Sequence, residues 1–394
     1  MNASKPYILI AVIVFIAGAI YFINSNSVRK GGLSEPVSVI PRTSSRRNEA
    51  KKETMPSKYL SAEEKSRRYK LAKEITTPDG FINTPSTSSG QVTSITISQF
   101  IGKKVILVDF WTYSCINCQR TTPYLNAWYE KYKDKGFVII GIHTPEFEFE
   151  KDYNNVKAAV GKFGIKFPVV LDNDYSTWTA YKNQYWPRKY LIDIDGYIVY
   201  DHIGEGRYQE TEQKIQGALG ERMDILGENG TIDQSVTKEI PIQGGYKSPE
   251  TYFGASRNQL MGNGAPGVAG NQKSLITPAK PDLNALYLSG DWNVANEFAQ
   301  NSSLNAGIVY KYTAKDVFFV SESDTEIAVE VLRDGKPLGF EAGADIIKTS
   351  DGKTVVKIKE ARLYKIIQDN QSDTHTLEFR IPKPGLKAFT FTFG

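Results

Sequence analysis

The chain of 394 residues contains two cysteines, and they lie three positions apart. Cys115 and Cys118 follow the apolar run of residues 105–108, and a helical pattern extends from them to about residue 132. A disulfide that closes so small a loop contributes little stability, because the entropic gain grows with loop size. The segment therefore predicts a buried strand, then two cysteines at the start of a helix, placed for redox chemistry.

A helix start favours a thiolate on its first cysteine, because backbone N–H groups there are unpaired and the helix dipole is positive. Cys115 is then the predicted nucleophile that attacks a disulfide, and Cys118 resolves the mixed disulfide. Asp109 ends the apolar strand, six residues before Cys115. We predict that Asp109 is buried and accepts the proton of Cys118; a surface or helix-capping role is the alternative.

Three further residues are candidates for substrate contact. Trp111 is expected to cover the cysteines, although an aromatic residue there could equally be a packing residue. Trp186 and Pro187 precede a predicted strand. A cis proline beside the cysteines would expose backbone for pairing with an extended substrate, but X–Pro bonds are cis in only about 5–6% of cases.

The N-terminal region has the composition of a membrane anchor and a tether. Residues 7–23 are all apolar, so residues 1–28 are predicted to form an uncleaved single transmembrane helix, with a cleaved signal peptide as the alternative. Residues 29–74 form a basic, flexible linker that ends in a helix from Ser61 to about residue 73, with a capping box at its start. The positive charge of the linker by itself favours a cytoplasmic location for the domains beyond it.

Two domains are predicted beyond the linker. Residues 75–222 alternate strands and helices, including a helix over 149–163 and a hairpin around 195–196, which is typical of an α/β sheet domain. Residues 240–394 contain short strand-like runs separated by turns, which favours an all-β sandwich of the jelly-roll type.

Several kinds of site receive no support from the sequence. The folded part lacks a basic patch with interleaved aromatics, so nucleic-acid binding is not expected. Two cysteines exclude a four-cysteine zinc site, and the three histidines are scattered. We therefore expect no metal and no cofactor.

Residues 80–219 resemble the thioredoxin-like domain of the DipZ family, which is related to TlpA/ResA-type redoxins. The segments that carry the resemblance include GFINT (80–84), VDFWTYSCINCQRT (108–121), GIHTPEFEFEK (141–151) and YWPRKYLIDIDG (185–196). SPETYFG (248–254) and the β region resemble the same family's carbohydrate-binding-like module.

The resemblance implies a redox pair at Cys115 and Cys118, a buried acid at Asp109 and a cis bond at Pro187. It also implies a cell-membrane protein whose redox domain is extracytoplasmic, and a glycan as a candidate partner of the β domain. DipZ-type proteins usually carry a multi-helix electron-delivering domain, so a chain with one anchor needs a separate membrane electron donor or acceptor. TlpA/ResA relatives often have Glu where this chain has Thr121, so the role of that Glu does not transfer.

The sequence thus predicts a membrane-anchored thiol–disulfide oxidoreductase that acts on protein thiols and disulfides, with reduction or isomerisation as the favoured direction. Two alternatives remain. A redoxin-type peroxidase needs Pro-x-x-x-Thr-x-x-Cys, but this chain has Val108 at the proline position. An anchored binding protein would leave the cysteines idle and use aromatics such as Trp292 and Tyr252 on sugars.

Overall fold

A computed structural model describes residues 58–84, 94–238 and 247–394. The predicted anchor (1–28) and the first part of the predicted linker lie outside these ranges, so the anchor stays a prediction. Within the described ranges, no helix has the length and apolar character that a bilayer crossing needs.

The first domain is an α/β domain built on one sheet. Its strands are β1 (Lys70–Leu71), β2 (Gly80–Ile82), β3 (Val105–Trp111), β4 (Phe137–His143), β5 (Val169–Leu171), β6 (Arg188–Ile192) and β7 (Tyr197–Ile203). Its helices are α1 (Ala62–Arg68), α2 (Ile116–Tyr132), α3 (Tyr153–Lys162), α4 (Ser176–Ala180) and α5 (Tyr208–Leu226). The strand order is β1-β7-β6-β3-β4-β5-β2, and β3, β4 and β5 are parallel.

Strand β3 lies at the centre of this sheet, between β4 and β6. All seven of its residues are buried, as expected for a central strand covered on both faces. Its alternate side chains enter two separate apolar cores, one containing Leu107 and Trp128 and the other containing Val108 and Phe110. Because β3 is fixed on both edges and both faces, the cysteine loop after it starts from a rigid point.

The helix before the sheet is shorter than predicted. The capping box is present, since Ser61 and Glu64 exchange hydrogen bonds, but α1 ends at Arg68 rather than near residue 73. The helix stops there because Lys70 and Leu71 pair with β7 as an edge strand. Similarly, the helix predicted over 149–163 is interrupted: a 3₁₀ turn (Glu148–Lys151) precedes α3, and Asp152 caps α3 instead of continuing the turn.

A buried lysine fastens α1 to the sheet. The Nζ atom of Lys65 lies 2.7 Å from Asp193, 2.6 Å from Asp195 and 2.7 Å from Glu221. Burial alone would lower the pKa of Lys65, but its interactions with the three carboxylates outweigh that effect and raise it. The ammonium group therefore stays charged and holds the end of the linker against the domain.

The second domain is rich in strands, as predicted. Its strands are β8 (Thr251–Tyr252), β9 (Gly270–Leu275), β10 (Leu286–Val294), β11 (Ala299–Asn301), β12 (Ala306–Ser323), β13 (Ile327–Arg333), β14 (Lys336–Pro337), β15 (Ile346–Lys348), β16 (Thr354–Ile358), β17 (Arg362–Ile381) and β18 (Leu386–Phe393). Strand β12 pairs with β17 along its length, while its other edge pairs first with β10 and then with β18. Strand β11 pairs with both β10 and β18. The four strands β10, β11, β18 and β12 are therefore hydrogen-bonded to one another in a closed ring.

Candidate active site

Cys115 occupies the N-cap position of α2. Its backbone is extended (φ −78°, ψ 117°), and its Sγ atom accepts the backbone N–H of Cys118 at 3.3 Å. That N–H belongs to the first helical turn and has no intrahelical partner, and the helix dipole adds positive potential at the same point. Both effects favour negative charge on the sulfur of Cys115.

The two cysteines differ in exposure as the predicted roles require. Cys115 is partly exposed, whereas Cys118, one turn along α2, is 2% exposed and packs in the apolar core. Burial raises the pKa of the Cys118 thiol, and the neighbouring Cys115 and Asp109 raise it further. Cys118 therefore needs a nearby proton acceptor before it can act as a nucleophile.

Asp109 is placed to be that acceptor. It lies on β3, is 2% exposed, and its Oδ1 atom has no hydrogen-bond partner among the residues that the structure describes. Burial raises the pKa of Asp109 to about 7, and only the charge of Lys189 opposes this. A carboxyl group with a pKa near neutrality can exchange a proton in either direction under physiological conditions.

Lys189 was not predicted from the sequence. It faces Asp109 directly across the β3–β6 pair and is 0% exposed, with its Nζ atom donating to the carbonyl of Gly204 at 3.2 Å. Burial lowers the pKa of Lys189, and Asp109 acts against that shift. The one local signal was a lysine directly before the apolar residues 190–192, but the partner of that lysine depends on strand register.

Of the three residues predicted to contact substrate, one lies in the core and the other two form the segment beside Cys115. Trp111 is 3% exposed and packs edge-on against His143, so its ring lies in the core and its burial does not support a role in substrate contact. Trp186 is partly exposed and donates its indole N–H to the carbonyl of Thr144 at 3.0 Å. The Trp186–Pro187 bond is cis, as the resemblance implied.

A buried carboxylate, also missed from the sequence, orders the loop before Cys115. Glu150 accepts the N–H and the hydroxyl of Ser114, at 3.2 and 2.6 Å. It also accepts the N–H groups of Glu146 and Phe147, at 2.6 and 3.1 Å. These bonds tie the cysteine loop to the 3₁₀ turn that contains Glu150.

Comparisons with known proteins identify both domains. Residues 77–219 match the family model described as Redoxin, and residues 248–394 match the one described as Thioredoxin like C-terminal domain. We refer to residues 77–219 below as the redoxin domain, after the family model that they match. The thioredoxin-like α/β fold predicted for this region is thereby confirmed, whereas the carbohydrate-binding character of the second domain stays a prediction.

Individual relatives agree with the redoxin assignment. Protein DipZ of Mycobacterium tuberculosis is 34% identical over 320 residues, which is 80% of this chain and 41% of that protein. Thiol-disulfide oxidoreductase ResA of Bacillus thuringiensis is 35% identical over 125 residues, 32% of this chain and 66% of ResA. The crystal structure of a putative thiol:disulfide interchange protein DsbE from Chlorobium tepidum has 23% identity and a TM-score of 0.32, covering 39% of this chain and 97% of that one. The printed name of the ResA relative supports the prediction of an oxidoreductase.

The redoxin domain presents its cysteine motif to the C-terminal domain. Ile116, the residue after Cys115, is 5% exposed and packs in a cluster drawn from both domains. The other members of that cluster are Phe147, Phe318, Val320, Leu363 and Phe389. The hydroxyl of Tyr113 donates to the carbonyl of Ala361 at 3.1 Å. The C-terminal domain therefore covers one side of the cysteine motif.

Cys115 opens into a cleft of about 520 Å³ between the two domains. The redoxin side of the cleft includes Tyr185 and Trp186, and the opposite side includes residues 247–250 and Thr392. Cys115 thus faces a cavity whose second wall belongs to the C-terminal domain.

A metal site is not supported at the cysteines. In the described part of the chain, the one group of His, Cys, Asp or Glu residues with metal-ligand spacing is formed by Asp193, Asp195 and Glu221. Their cation is the ammonium group of Lys65. Burial lowers the pKa of His143 to about 3, and this neutral ring stacks on Tyr113 as a packing residue.

Proposed function

We propose that the protein is a thiol–disulfide oxidoreductase that uses Cys115 as nucleophile and Cys118 as resolving cysteine. The observation that carries this proposal is the asymmetry of the pair. The sulfur of Cys115 caps a helix and is partly exposed, while Cys118 is buried one turn away beside an acid with a raised pKa. Such an arrangement separates attack from resolution.

The exchange proceeds in two steps. The Cys115 thiolate attacks one sulfur of a substrate disulfide, forming a mixed disulfide and releasing the other substrate sulfur as a thiolate. Cys118 then loses its proton to Asp109 and attacks Cys115, which releases the second substrate thiol and leaves a Cys115–Cys118 disulfide. The substrate has gained two electrons and the protein has lost them. The proton of Cys118 passes by way of Asp109 to the second released sulfur, and the first released thiolate takes its proton from solvent.

The direction that we propose is reduction or isomerisation of protein disulfides. The buried acid Asp109 promotes the resolving step, which completes substrate reduction. Turnover then needs a reductant that returns two electrons to Cys115 and Cys118. A separate membrane protein is the proposed donor.

We further propose that residues 1–28 anchor the protein in the cell membrane as a single span, with the redoxin domain outside the cytoplasm. The apolar run of residues 7–23 and the likeness to DipZ support this placement. A membrane-impermeant maleimide applied to intact cells should then label Cys115. Labelling only after the cells are lysed would contradict this location.

A direct test mixes the reduced full-length protein with a protein disulfide under anaerobic conditions. One Cys115–Cys118 disulfide should form for each substrate disulfide that is reduced, as measured by thiol alkylation and mass spectrometry. The rival functions give different results. A peroxidase would instead consume peroxide rapidly with an external thiol reductant, and a binding protein with idle cysteines would transfer no electrons.

Asp109→Asn should slow the resolving step about hundredfold, because general-base help of this kind contributes about that much or more. In the wild type the rate of that step should rise with pH up to about 7, where Asp109 becomes ionised. The variant should lose this rise. Single-turnover release of the second substrate thiol between pH 5 and 9 measures both effects, with the exposed Asp134→Asn as the matched control. An unchanged pH profile in Asp109→Asn would contradict the role of Asp109.

The same substitution should remove a pH dependence from the stability of the folded protein. Because burial raises the pKa of Asp109 from 3.8 to about 7, the folded state holds the proton more tightly than the unfolded state. The wild type therefore loses stability as the pH rises between these two values. The stability of Asp109→Asn relative to that of the wild type should rise over that interval and level off above it, as measured by urea unfolding at each pH.

A further inference from the structure

The C-terminal domain covers residues on both sides of Cys115 in the sequence, although nucleophilic attack by Cys115 does not itself need such a cover. Ile116 is 5% exposed against residues of β12, β17 and β18, and Tyr113 is 4% exposed with its hydroxyl bonded to Ala361. A substrate therefore cannot lay a broad, folded surface over the start of α2. Among the residues that the structure describes, the interdomain cleft gives open access to Cys115.

The second wall of the cleft is held in place by contacts between the domains. Glu146 of the redoxin domain accepts hydrogen bonds from the hydroxyl of Tyr252 at 2.9 Å and from Arg257 at 2.8 Å. The guanidinium of Arg257 also lies over the ring of Tyr252, 3.7 Å from its centroid. The side chain of Glu146 is 14% exposed and that of Arg257 is 41% exposed, so solvent partly screens this ion pair, and the stacking of Arg257 on Tyr252 adds to the contact between the domains.

The redoxin wall offers backbone groups to an extended chain. Among the described residues, the N–H and C=O groups of Trp186 make no hydrogen bond, and Trp186 lines the cleft with Cys115. Free backbone groups at such a point can pair with a peptide in the manner of an added strand. The volume of about 520 Å³ suits a short peptide segment and is too small for a folded domain.

We propose that the C-terminal domain is part of the substrate-binding site, and that its residues 247–250 form the wall that selects disulfides on extended, flexible segments over disulfides on folded surfaces. This inference rests on the proposed oxidoreductase function. The substrate segment lies between Trp186 and this wall, with its cysteine against Cys115.

A cross-linking experiment tests where the substrate lies. The full-length Cys118→Ser variant should form a stable mixed disulfide between Cys115 and a short Gly/Ser peptide with one activated cysteine. With a benzophenone side chain two residues from that cysteine, cross-links should appear in residues 247–257 or 390–393. Cross-links confined to the redoxin domain would overturn the inference.

A narrowed cleft provides the second test. Pro249 is exposed on the wall, so Pro249→Trp should lower kcat/KM for a flexible peptide disulfide by about tenfold or more, since small displacements of a reacting group are costly. Exchange with dithiothreitol should change less than twofold. Lys280→Trp, an exposed substitution in the same domain away from the cleft lining, is the matched control.

The third test compares the rates at which the protein reduces two kinds of disulfide. The wild type should reduce the flexible peptide disulfide at least about tenfold faster than a surface disulfide of a folded domain, because the folded probe cannot enter the cleft. Equal rates for the two probes, or an unaffected peptide rate in Pro249→Trp, would overturn the inference while leaving the oxidoreductase function standing. Absence of exchange even with dithiothreitol would contradict the proposed function itself.

Discussion

Replacing Cys115 with serine should abolish disulfide exchange, with a loss of about a thousandfold or more in the rate of substrate reduction. A serine hydroxyl is not ionised near neutral pH, so the helix start has no anion to stabilise at that position. The measurement is substrate thiol release by the reduced full-length protein. Retention of more than about a tenth of the wild-type rate would contradict the assignment of Cys115 as nucleophile.

Cys118→Ser is the matched control, because it makes the same replacement of a thiol by a hydroxyl at the buried cysteine. Cys115 should still attack in this variant, but the mixed disulfide cannot be resolved and should accumulate. Intact-mass spectrometry should detect it as an adduct of protein plus one substrate thiol. If both variants lost the first step equally, the two cysteines would not have the separate roles that their different exposure indicates.

Lys65→Met should destabilise the folded protein by about 3–5 kcal/mol, the range observed when one partner of a buried ion pair is removed. Methionine fills a similar volume but leaves Asp193, whose side chain is 1% exposed, and Glu221 without their cation. Urea unfolding followed by tryptophan fluorescence measures the change.

Arg67→Met in the same helix is the control. Its ion pair with Glu63 is exposed on both sides, so its loss should change stability by less than about 1 kcal/mol. Equal effects of the two substitutions would show that Lys65 is not the residue that fastens α1 to the sheet.

Local signals in the sequence predicted the centre of the site. The apolar run of β3 and the cysteines at the start of α2 were both predicted, and α2 begins and ends at the predicted residues, Ile116 and Tyr132. These features depend on neighbours along the chain: strand propensity, helix capping and hydrophobic pattern. Helix ends that depend on distant pairing, such as the early end of α1, were wrong.

Features that depend on distant residues could not be derived in the same way. Lys189 meets Asp109 only because β6 pairs with β3 in one register, since a shift by one residue would turn its side chain to the other face. The hydroxyl of Ser114 donates a hydrogen bond to Glu150, which is 36 residues away in the sequence. Ile116 is covered by strands whose contacting residues lie between 202 and 273 positions further along the chain, and no local pattern reveals that packing.

The ion pair beside the cleft, between Glu146 and Arg257, also could not be predicted from local sequence. Glu146 and Arg257 are 111 positions apart, and neither sits in a pattern that predicts a pair. Their pairing raises the pKa of Arg257 although partial desolvation acts to lower it, whereas burial and the charge of Glu250 raise the pKa of Glu146 to about 7. Only the packing of the two domains brings these groups together beside Cys115.

Cys115 and Cys118 should form one reversible two-electron couple, on which the proposed chemistry depends. Equilibrating the full-length protein in dithiothreitol or glutathione buffers of graded potential, and then alkylating it for mass spectrometry, measures this couple directly. We expect one transition in which both thiols disappear together, with a midpoint nearer that of thioredoxin, about −270 mV, than the oxidant end at about −120 mV. Two thiols that remain alkylatable at every potential would contradict the assignment of these cysteines as a redox pair.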